Sequence, residues 1–421
     1  MNAFEREVKT LSFSNEGLDR GVVEESMYPW DKTVAAWDAQ GLKTGFLDKV
    51  HFATLPTDNL YAYNAPYEPW ENYYNTMMTE PVFEHESHFA FDPVKRICFR
   101  IPFISFDEEI REETDSYVIK RNRDGWIRKY PKGKGLVEDI RPVVTDEEDW
   151  EKLKAHVQEQ IRIHLTPEHM HQAFDKYAEG CKRGDYVVRL RLQGFFWCPR
   201  DLFGIEDHLY AYYDYPEVLK DIARFQLDVY KEQLDGILNI LTPSLVFFEE
   251  DFSGKNGPMI SPELFDEFVV PCYQEIIPFL KARGVANVFL DTDGDFTLMV
   301  PNILKAGLDG VLPVDVNAGV DIVEVRKQFP TLKFFGGFDK LAIIEGKDAI
   351  EAEIKRLEPV IRQGGCIICT DHQAAPHTPL ENYRYYVQRL HEVMCEWRGE
   401  NARCPLAHQY KQTRTKERKK K

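Results

Sequence analysis

No uninterrupted run of about 18 apolar residues occurs in the 421-residue chain, so no membrane-spanning helix is expected. Met1 to Leu11 carry Glu5, Arg6, Glu7 and Lys9 and lack the apolar core of a signal peptide, which points to a cytoplasmic protein. The nucleophile elbow of serine hydrolases, the phosphate-binding loop and the dinucleotide fingerprint are all missing. Their absence argues against acyl transfer and nucleoside triphosphate use, and less strongly against NAD chemistry. Cysteine is sparse, with eight residues scattered from Cys98 to Cys404, and reduced thiols are expected. Only Cys366-Ile-Ile-Cys369 has close spacing. On a strand, residues i and i+3 face opposite sides, so the two thiols cannot grip one ion and read as buried apolar groups.

Acid outweighs base. The net charge is −17, and His408 to Lys421 hold seven Lys/Arg and one Glu, so the body without that tail is near −23. An acidic body repels nucleic acid and anionic membranes, and neither is expected as a partner. The basic tail, residues 401–421, reads as solvated and disordered.

From about Asp185 the chain alternates short apolar runs with helical patterns. The runs Tyr186–Leu192, Leu245–Phe248, Asn287–Leu290, Gly310–Val314, Leu332–Phe335 and Cys366–Cys369 read as strands. Helices are expected over Glu217–Leu241, Pro262–Arg283, Phe296–Ala306, Val320–Gln328, Lys347–Arg362 and Pro379–Glu396. Such alternation predicts a parallel α/β sheet, and its density suits a closed TIM (β/α)8 barrel better than an open sheet. Residues 181–400 would form the main βα-repeat part. Residues 1–180 would hold helices, the first part of the barrel and a β-hairpin turning at Arg123-Asp124-Gly125. Lys132–Val143 reads as loop. Ser261-Pro262-Glu263 and Thr378-Pro379-Leu380-Glu381 read as capped helix starts, the second as a capping box. Tyr61, Tyr63, Tyr67, Trp70, Tyr73 and Tyr74 crowd one segment, which packs a loop or lines an aryl-binding mouth.

Functional groups of such barrels cluster at the C-terminal strand ends. Five consecutive expected strands end in carboxylates: Glu249, Glu250 and Asp251; Asp291, Asp293 and Asp295; Asp315; Asp339; and Asp371, which His372 follows. Any one of them could cap the helix that follows. Together they would converge on one mouth. Asp291, Asp293 and Asp295 would point the same way on a continuing strand, where carboxylates repel unless a cation or a proton sits among them. The spacing does not suit a helix-loop-helix calcium site, because Phe296 stands where glycine is needed. His372 could serve as acid/base, as metal ligand or as a structural group.

The stretches Asp201-Leu-Phe-Gly-Ile-Glu206, Glu250-Asp-Phe-Ser-Gly-Lys-Asn-Gly-Pro-Met-Ile-Ser-Pro262, Asp291-Thr-Asp-Gly294, Gly336-Gly-Phe-Asp-Lys340 and Asp371-His-Gln-Ala-Ala-Pro-His-Thr-Pro379 resemble the uroporphyrinogen decarboxylase superfamily. The resemblance implies the barrel fold and two candidate activities. One is cofactor-free decarboxylation of a tetrapyrrole. The other is methyl transfer to a corrinoid protein, usually with zinc. The arginine-rich N-terminal motif of the decarboxylases is absent from the first 60 residues, whose only arginines are Arg6 and Arg20. Asp291-Thr292-Asp293 stands where thiol-type methyltransferases carry His-x-Cys, and His372 stands where they carry a later Cys. The resemblance then implies a corrinoid-dependent methyltransferase acting on a small methylated donor, such as an aryl methyl ether, by O-demethylation. Zinc would be held by Glu250, Asp291, Asp293 and His372, with Asp291, His372 and Glu250 catalytic and Asp251, Asp315, Asp339 and Asp371 facing substrate. A metal-free decarboxylase and a non-catalytic ligand-binding barrel are the alternatives.

Overall fold

The structure, a computed structural model, describes residues 1–27, 29–43, 73–75 and 88–398. Tyr61, Tyr63, Tyr67, Trp70, Cys404 and the basic tail lie outside the described residues. Tyr73 and Tyr74 are buried, and Tyr74 stacks on Phe99 and meets Phe174 edge-on, so these two pack the interior.

In chain order the strands are β1 (Tyr74–Asn75), β2 (Val94–Phe99), β3 (Glu109–Glu113), β4 (Tyr117–Arg121), β5 (Ile127–Pro131), β6 (Glu138–Arg141), β7 (Val187–Gln193), β8 (Leu245–Glu249), β9 (Ser253–Gly254), β10 (Gly257–Pro258), β11 (Asn287–Thr292), β12 (Gly310–Pro313), β13 (Lys333–Phe335) and β14 (Cys366–Ile367). The main sheet has the order β1-β2-β7-β8-β11-β12-β13-β14 and curls on itself. Its seven strands from β2 to β14 are parallel, and β1 pairs antiparallel at the edge. Among the described residues no ladder joins β14 to β2, so the eighth parallel strand of the expected ring is not seen. The extended segment 21–26 spans that gap. Val23 accepts the Asp92 amide at 2.9 Å, and the Glu25 main-chain oxygen accepts Arg96. On the other side the Glu25 carboxylate accepts the Thr370 amide and hydroxyl at 3.0 and 2.6 Å.

Alternation along the strands sorts side chains into an outer and an inner set. Val246, Val288, Leu290, Val311 and Phe334 meet the surrounding helices in the large core. Leu245, Phe289, Leu312, Phe335 and Ile367 form a separate inner cluster with Leu11 and Val22. Below that cluster lies a charged layer. Arg189 of β7 donates to both carboxylates of Glu7 and Glu24, with every partner at most 2% exposed, and its guanidinium lies 4.5 Å from the Phe335 ring centre. Ser244 adds a hydrogen bond to Glu7 at 2.8 Å.

Helix starts follow local chemistry. Asp146, Thr166 and Ser261 each accept the amide three residues on, and proline follows Thr166 and Ser261 at the first helical position. The expected helix Pro262–Arg283 is two helices, Pro262–Phe268 and Val270–Ala282. The expected capping box at Thr378 does not form. The last helix, Leu380–Glu396, has no side-chain cap from its own start, and the Gln40 side chain accepts the Leu380 amide at 2.9 Å instead. A distant segment thus does what the local motif promised. Among the described residues no helix is long and apolar enough to cross a membrane.

Between β2 and β7 the chain inserts a four-stranded antiparallel sheet, β3-β4-β5-β6. The β4–β5 turn at Asn122–Trp126 holds Gly125 at φ +81°, a conformation that favours glycine. β6 falls inside the stretch read as loop. Its residues Glu-Asp-Ile-Arg are all exposed, so no alternating apolar face announced it.

Glu25 gives the fold a pH signature. Burial pushes its carboxyl from 4.5 up to about 7, against hydrogen bonds from Thr370 that favour the ion. The folded chain therefore holds a proton that the unfolded chain releases above pH 4.5, and stability should fall as pH rises from about 5 to 7. Urea unfolding at pH 5 and pH 7.5 should show this loss, and Glu25→Gln should shrink it. An unchanged pH slope in the variant would assign the effect elsewhere.

Candidate functional site

The upper inner layer is charged. Strand register sets Asp291 of β11 beside Glu249 of β8, and Glu249 beside Gln193 of β7. Arg191, two residues before Gln193, shares its inward face and donates from Nε to Glu249 at 2.9 Å, with a second bond from Nη2. Arg191 makes these bonds to Glu249, and among the described residues no Lys, Arg or His forms an ion pair with Asp291. Burial raises the Asp291 carboxyl well above the usual carboxylate range, the Glu249 charge raises it further, and Arg191 opposes them only in part.

Beyond the strand end the loops turn sharply. The Asp291 carbonyl accepts the amides of Glu250 and Asp251 at 2.8 and 3.1 Å. Asp251 sits at φ +42°, a left-handed conformation costly for a side chain larger than glycine. Its carboxylate accepts the Asp293 amide at 3.3 Å, and Arg200 donates to its carbonyl at 2.7 Å. Asp293 lies 4.0 Å from His372 Nε2. Burial raises the Asp293 carboxyl, His372 and Lys340 lower it, and Asp251 and Asp315 raise it. Asp291, Asp293, Asp251 and His372 are thus brought close together beyond the ends of β8 and β11.

The other expected site residues stand elsewhere. Glu250 is fully buried on the outer side of the sheet. Its oxygens accept the amides of Phe195, Phe196 and Trp197 at 2.9, 2.7 and 3.1 Å, and the Tyr273 hydroxyl. It fastens the turn after β7 and is not a ligand at the mouth. Period-two alternation explains the exchange: Leu245, Phe247 and Glu249 share the inward face, and Glu250 falls on the other. Asp315 and Asp339 cap the turns that follow them, accepting the Asn317 and Leu341 amides at 3.0 and 2.9 Å. Asp295 does the same for Thr297. Asp371 is fully buried and accepts Asn317 Nδ2 at 3.0 Å and both nitrogens of Lys340. Asp371 thus has both oxygens occupied within the fold, whereas Asp315 and Asp339 each cap through Oδ1 and stay partly exposed.

The expected zinc ligands are likewise not assembled. Among the described residues no three His, Cys, Asp or Glu side chains are gathered as a metal site. With Glu250 turned away, Asp291, Asp293 and His372 as placed do not fit the ion, and no step below passes through one. Cys366 and Cys369 are free and buried on opposite sides of the sheet.

Arg191, Arg200 and Asp201 were not named from the sequence as site residues, and Glu249 was named only among the strand-end carboxylates. The signal for the first was present in Tyr186–Leu192, where Arg189 and Arg191 alternate with apolar residues. Asp201 anchors the neighbouring wall, accepting Gln193 Nε2 and Trp197 Nε1, each at 2.7 Å. Burial pushes its carboxyl up to about 6. A cavity of about 850 Å³ lies between these residues and the antiparallel sheet.

A parallel α/β sheet with its charged inner layer at the C-terminal strand ends defines the class of fold. The uroporphyrinogen decarboxylase (URO-D) family model matches residues 130–393, and the chain belongs to that family. Among solved structures it is similar to a methyltransferase from Methanosarcina mazei, with 14% identity and a TM-score of 0.45 over 73% of this chain and 84% of that one. A Listeria monocytogenes structure described as a "Putative Vitamin-B12 Independent Methionine Synthase" has 14% identity and a TM-score of 0.32 over 49% and 63%. Likenesses this distant carry no argument about activity. No curated protein matches the chain.

Glu250→Ala should expose the difference between a fastening and a ligand. It leaves three amides and a phenol buried without an acceptor, each costing roughly 1–3 kcal/mol. A fall in melting temperature of several degrees is expected, with Glu250→Gln milder. A variant as stable as the wild type would return Glu250 to the mouth.

Proposed function

We propose that the chain is a methyltransferase that takes a methyl group from a small methylated donor, an aryl methyl ether by O-demethylation, and passes it to a corrinoid-carrying partner protein. The reading takes the sheet as the (β/α)8 barrel of the family, with segment 21–26 in the eighth position. One observation carries it: Asp291 is a carboxyl whose surroundings favour the neutral acid, set in a wall of other carboxylates. A neutral acid can donate a proton, and an ether leaves far more readily as a phenol than as a phenolate. The partner's corrinoid would supply the nucleophile that accepts the methyl group.

The chain's own residues would do the rest. Asp291 donates its proton to the ether oxygen as the carbon–oxygen bond breaks. The resulting carboxylate is disfavoured beside Glu249, so it recovers a proton promptly. His372, next to Asp293, is placed to relay that proton from solvent. The capped turns at Asp315 and Asp339 hold the rim in place.

General acid catalysis is worth about 10²–10⁴ in rate. Asp291→Asn should therefore lower methyl transfer from a methoxylated aromatic to a reduced corrinoid protein at least about 100-fold. The wild-type rate should fall as pH rises through the raised pKa of Asp291, because only the protonated acid acts, and the variant should lose that limb. His372→Gln should slow turnover less. Carbon dioxide release without any partner, with no methyl transfer, would favour the decarboxylase instead. Ligand binding with no turnover of either kind would leave a binding barrel.

A further inference from the structure

The helix Ile205–Asp214 follows the short helix Trp197–Phe203 beyond the end of β7, and its two sides differ. His208, Ala211 and Tyr212 are buried, with the His208 ring against Phe196 and Tyr212. Tyr210 and Tyr213, three residues apart and so on one side of the helix, are 59% and 74% exposed. Ile205, at the first position, is 63% exposed. Ile205 also lines the cavity of about 850 Å³, together with Ile104 from the connection after β2 and Ile140 of β6, both of them exposed. Exposed apolar surface therefore runs from the helix to the edge of the cavity and is built from three separate segments. Surface of this kind marks interaction sites.

The charge at its border has one sign. Between Arg200 and Lys220 the chain carries Asp201, Glu206, Asp207, Asp214 and Glu217, and no Lys or Arg. Glu217 pairs with Lys220 at 3.3 Å. Glu206, Asp207 and Asp214 are exposed and enter no ion pair among the described residues. An aromatic and apolar centre with an acidic border complements a surface that is apolar at its centre and basic at its edge. It opposes a second copy of itself, because the acids would meet like charges. Tyrosine suits such a face, since its ring supplies contact area while its hydroxyl keeps a polar partner at the wet edge.

We infer that the outer side of the helix Ile205–Asp214, with the isoleucines at the cavity edge, is the docking face for a protein partner that presents an apolar surface bordered by Lys and Arg. A partner seated here borders the cavity, whose wall includes Glu249, the register neighbour of Asp291. The inference deepens the proposed function by giving the methyl-accepting partner a place to dock, and only the identification of that partner as the corrinoid carrier rests on the methyl-transfer reading.

The test is calorimetric titration of the full-length protein with a purified corrinoid protein from the same organism, at low and high salt. Methyl transfer to that protein and to free cob(I)alamin, which has no protein surface, is the second readout. The wild type should bind saturably, and more weakly as salt rises, because the border charges are screened. Tyr210→Ser combined with Tyr213→Ser should raise Kd at least about tenfold, and Asp214→Lys should raise it by reversing a border charge. These positions are exposed, so both variants should fold, and both should transfer methyl groups to free cob(I)alamin as the wild type does. No binding by the wild type, or binding that both variants leave unchanged, would overturn the inference. Equal loss of transfer to both acceptors would overturn it too. Self-association of the protein alone that the tyrosine variant abolishes would make the occupant a second copy and likewise overturn it. Binding that the variants weaken, by a protein that methylates neither acceptor, would instead overturn the function proposed above and leave the docking face standing. Methylation of free cob(I)alamin by a protein that binds no partner would do the reverse.

Discussion

Arg189 is the group on which the arrangement depends. A guanidinium at the centre of a sheet, almost wholly removed from water, is tolerable only with counter-charges and filled hydrogen bonds. Glu7 comes from the first helix and Glu24 from the extended segment that spans the gap between β14 and β2. The ion pairs draw both pieces of the N-terminal region into the lower end of the sheet. Glu25, the next residue, then reaches Thr370 on the opposite edge. Closure of the curled sheet is therefore electrostatic on the inside and hydrogen-bonded across the gap, where a backbone ladder is not seen.

The interior repeats this chemistry at two heights with different outcomes. Below the apolar cluster of Leu245, Phe289, Leu312 and Phe335, one arginine meets two glutamates in close contact. Above it, Arg191 meets Glu249, and Asp291 is the surplus acid. The same alternation that places Arg189 inward places Arg191 inward one pleat higher. The lower layer binds the fold together. The upper layer leaves a carboxyl that favours its proton, at the end of the sheet where the loops open. Asp251, in its left-handed conformation, and Asp293, beside His372, extend that acidic rim.

Much of this was legible in the sequence because it is local. Strand-length apolar runs from Tyr186 onward, with acids at their ends, gave six of the seven parallel strands within a residue or two. Asp291, Asp293 and His372 were picked out by the same rule, and the structure sets them near one another. The exchange of Glu250 for Glu249 was an error of phase, since one residue decides which side of a strand a side chain meets. Asp315, Asp339 and Asp371 look alike in sequence, and only their contacts distinguish a cap from a site group. The Gln40 cap and the Glu7–Arg189–Glu24 cluster join residues far apart in the chain, which no local pattern announces, whereas the inserted sheet is local and only its exposed outer strands lacked a pattern. The family itself was visible in short polar motifs, because those motifs are the turns that the strand ends require.

The central claim is that Asp291 keeps its proton at pH values where an ordinary carboxyl has lost it. Infrared difference spectroscopy on wild type and Asp291→Asn, across a pH series, observes that proton directly through the carboxylic acid carbonyl stretch. A protonated-carboxyl band that persists above the usual carboxylate range in the wild type and is missing from Asp291→Asn is the result this account predicts. Spectra in which the two proteins show the same carboxylic acid bands throughout the series would contradict it.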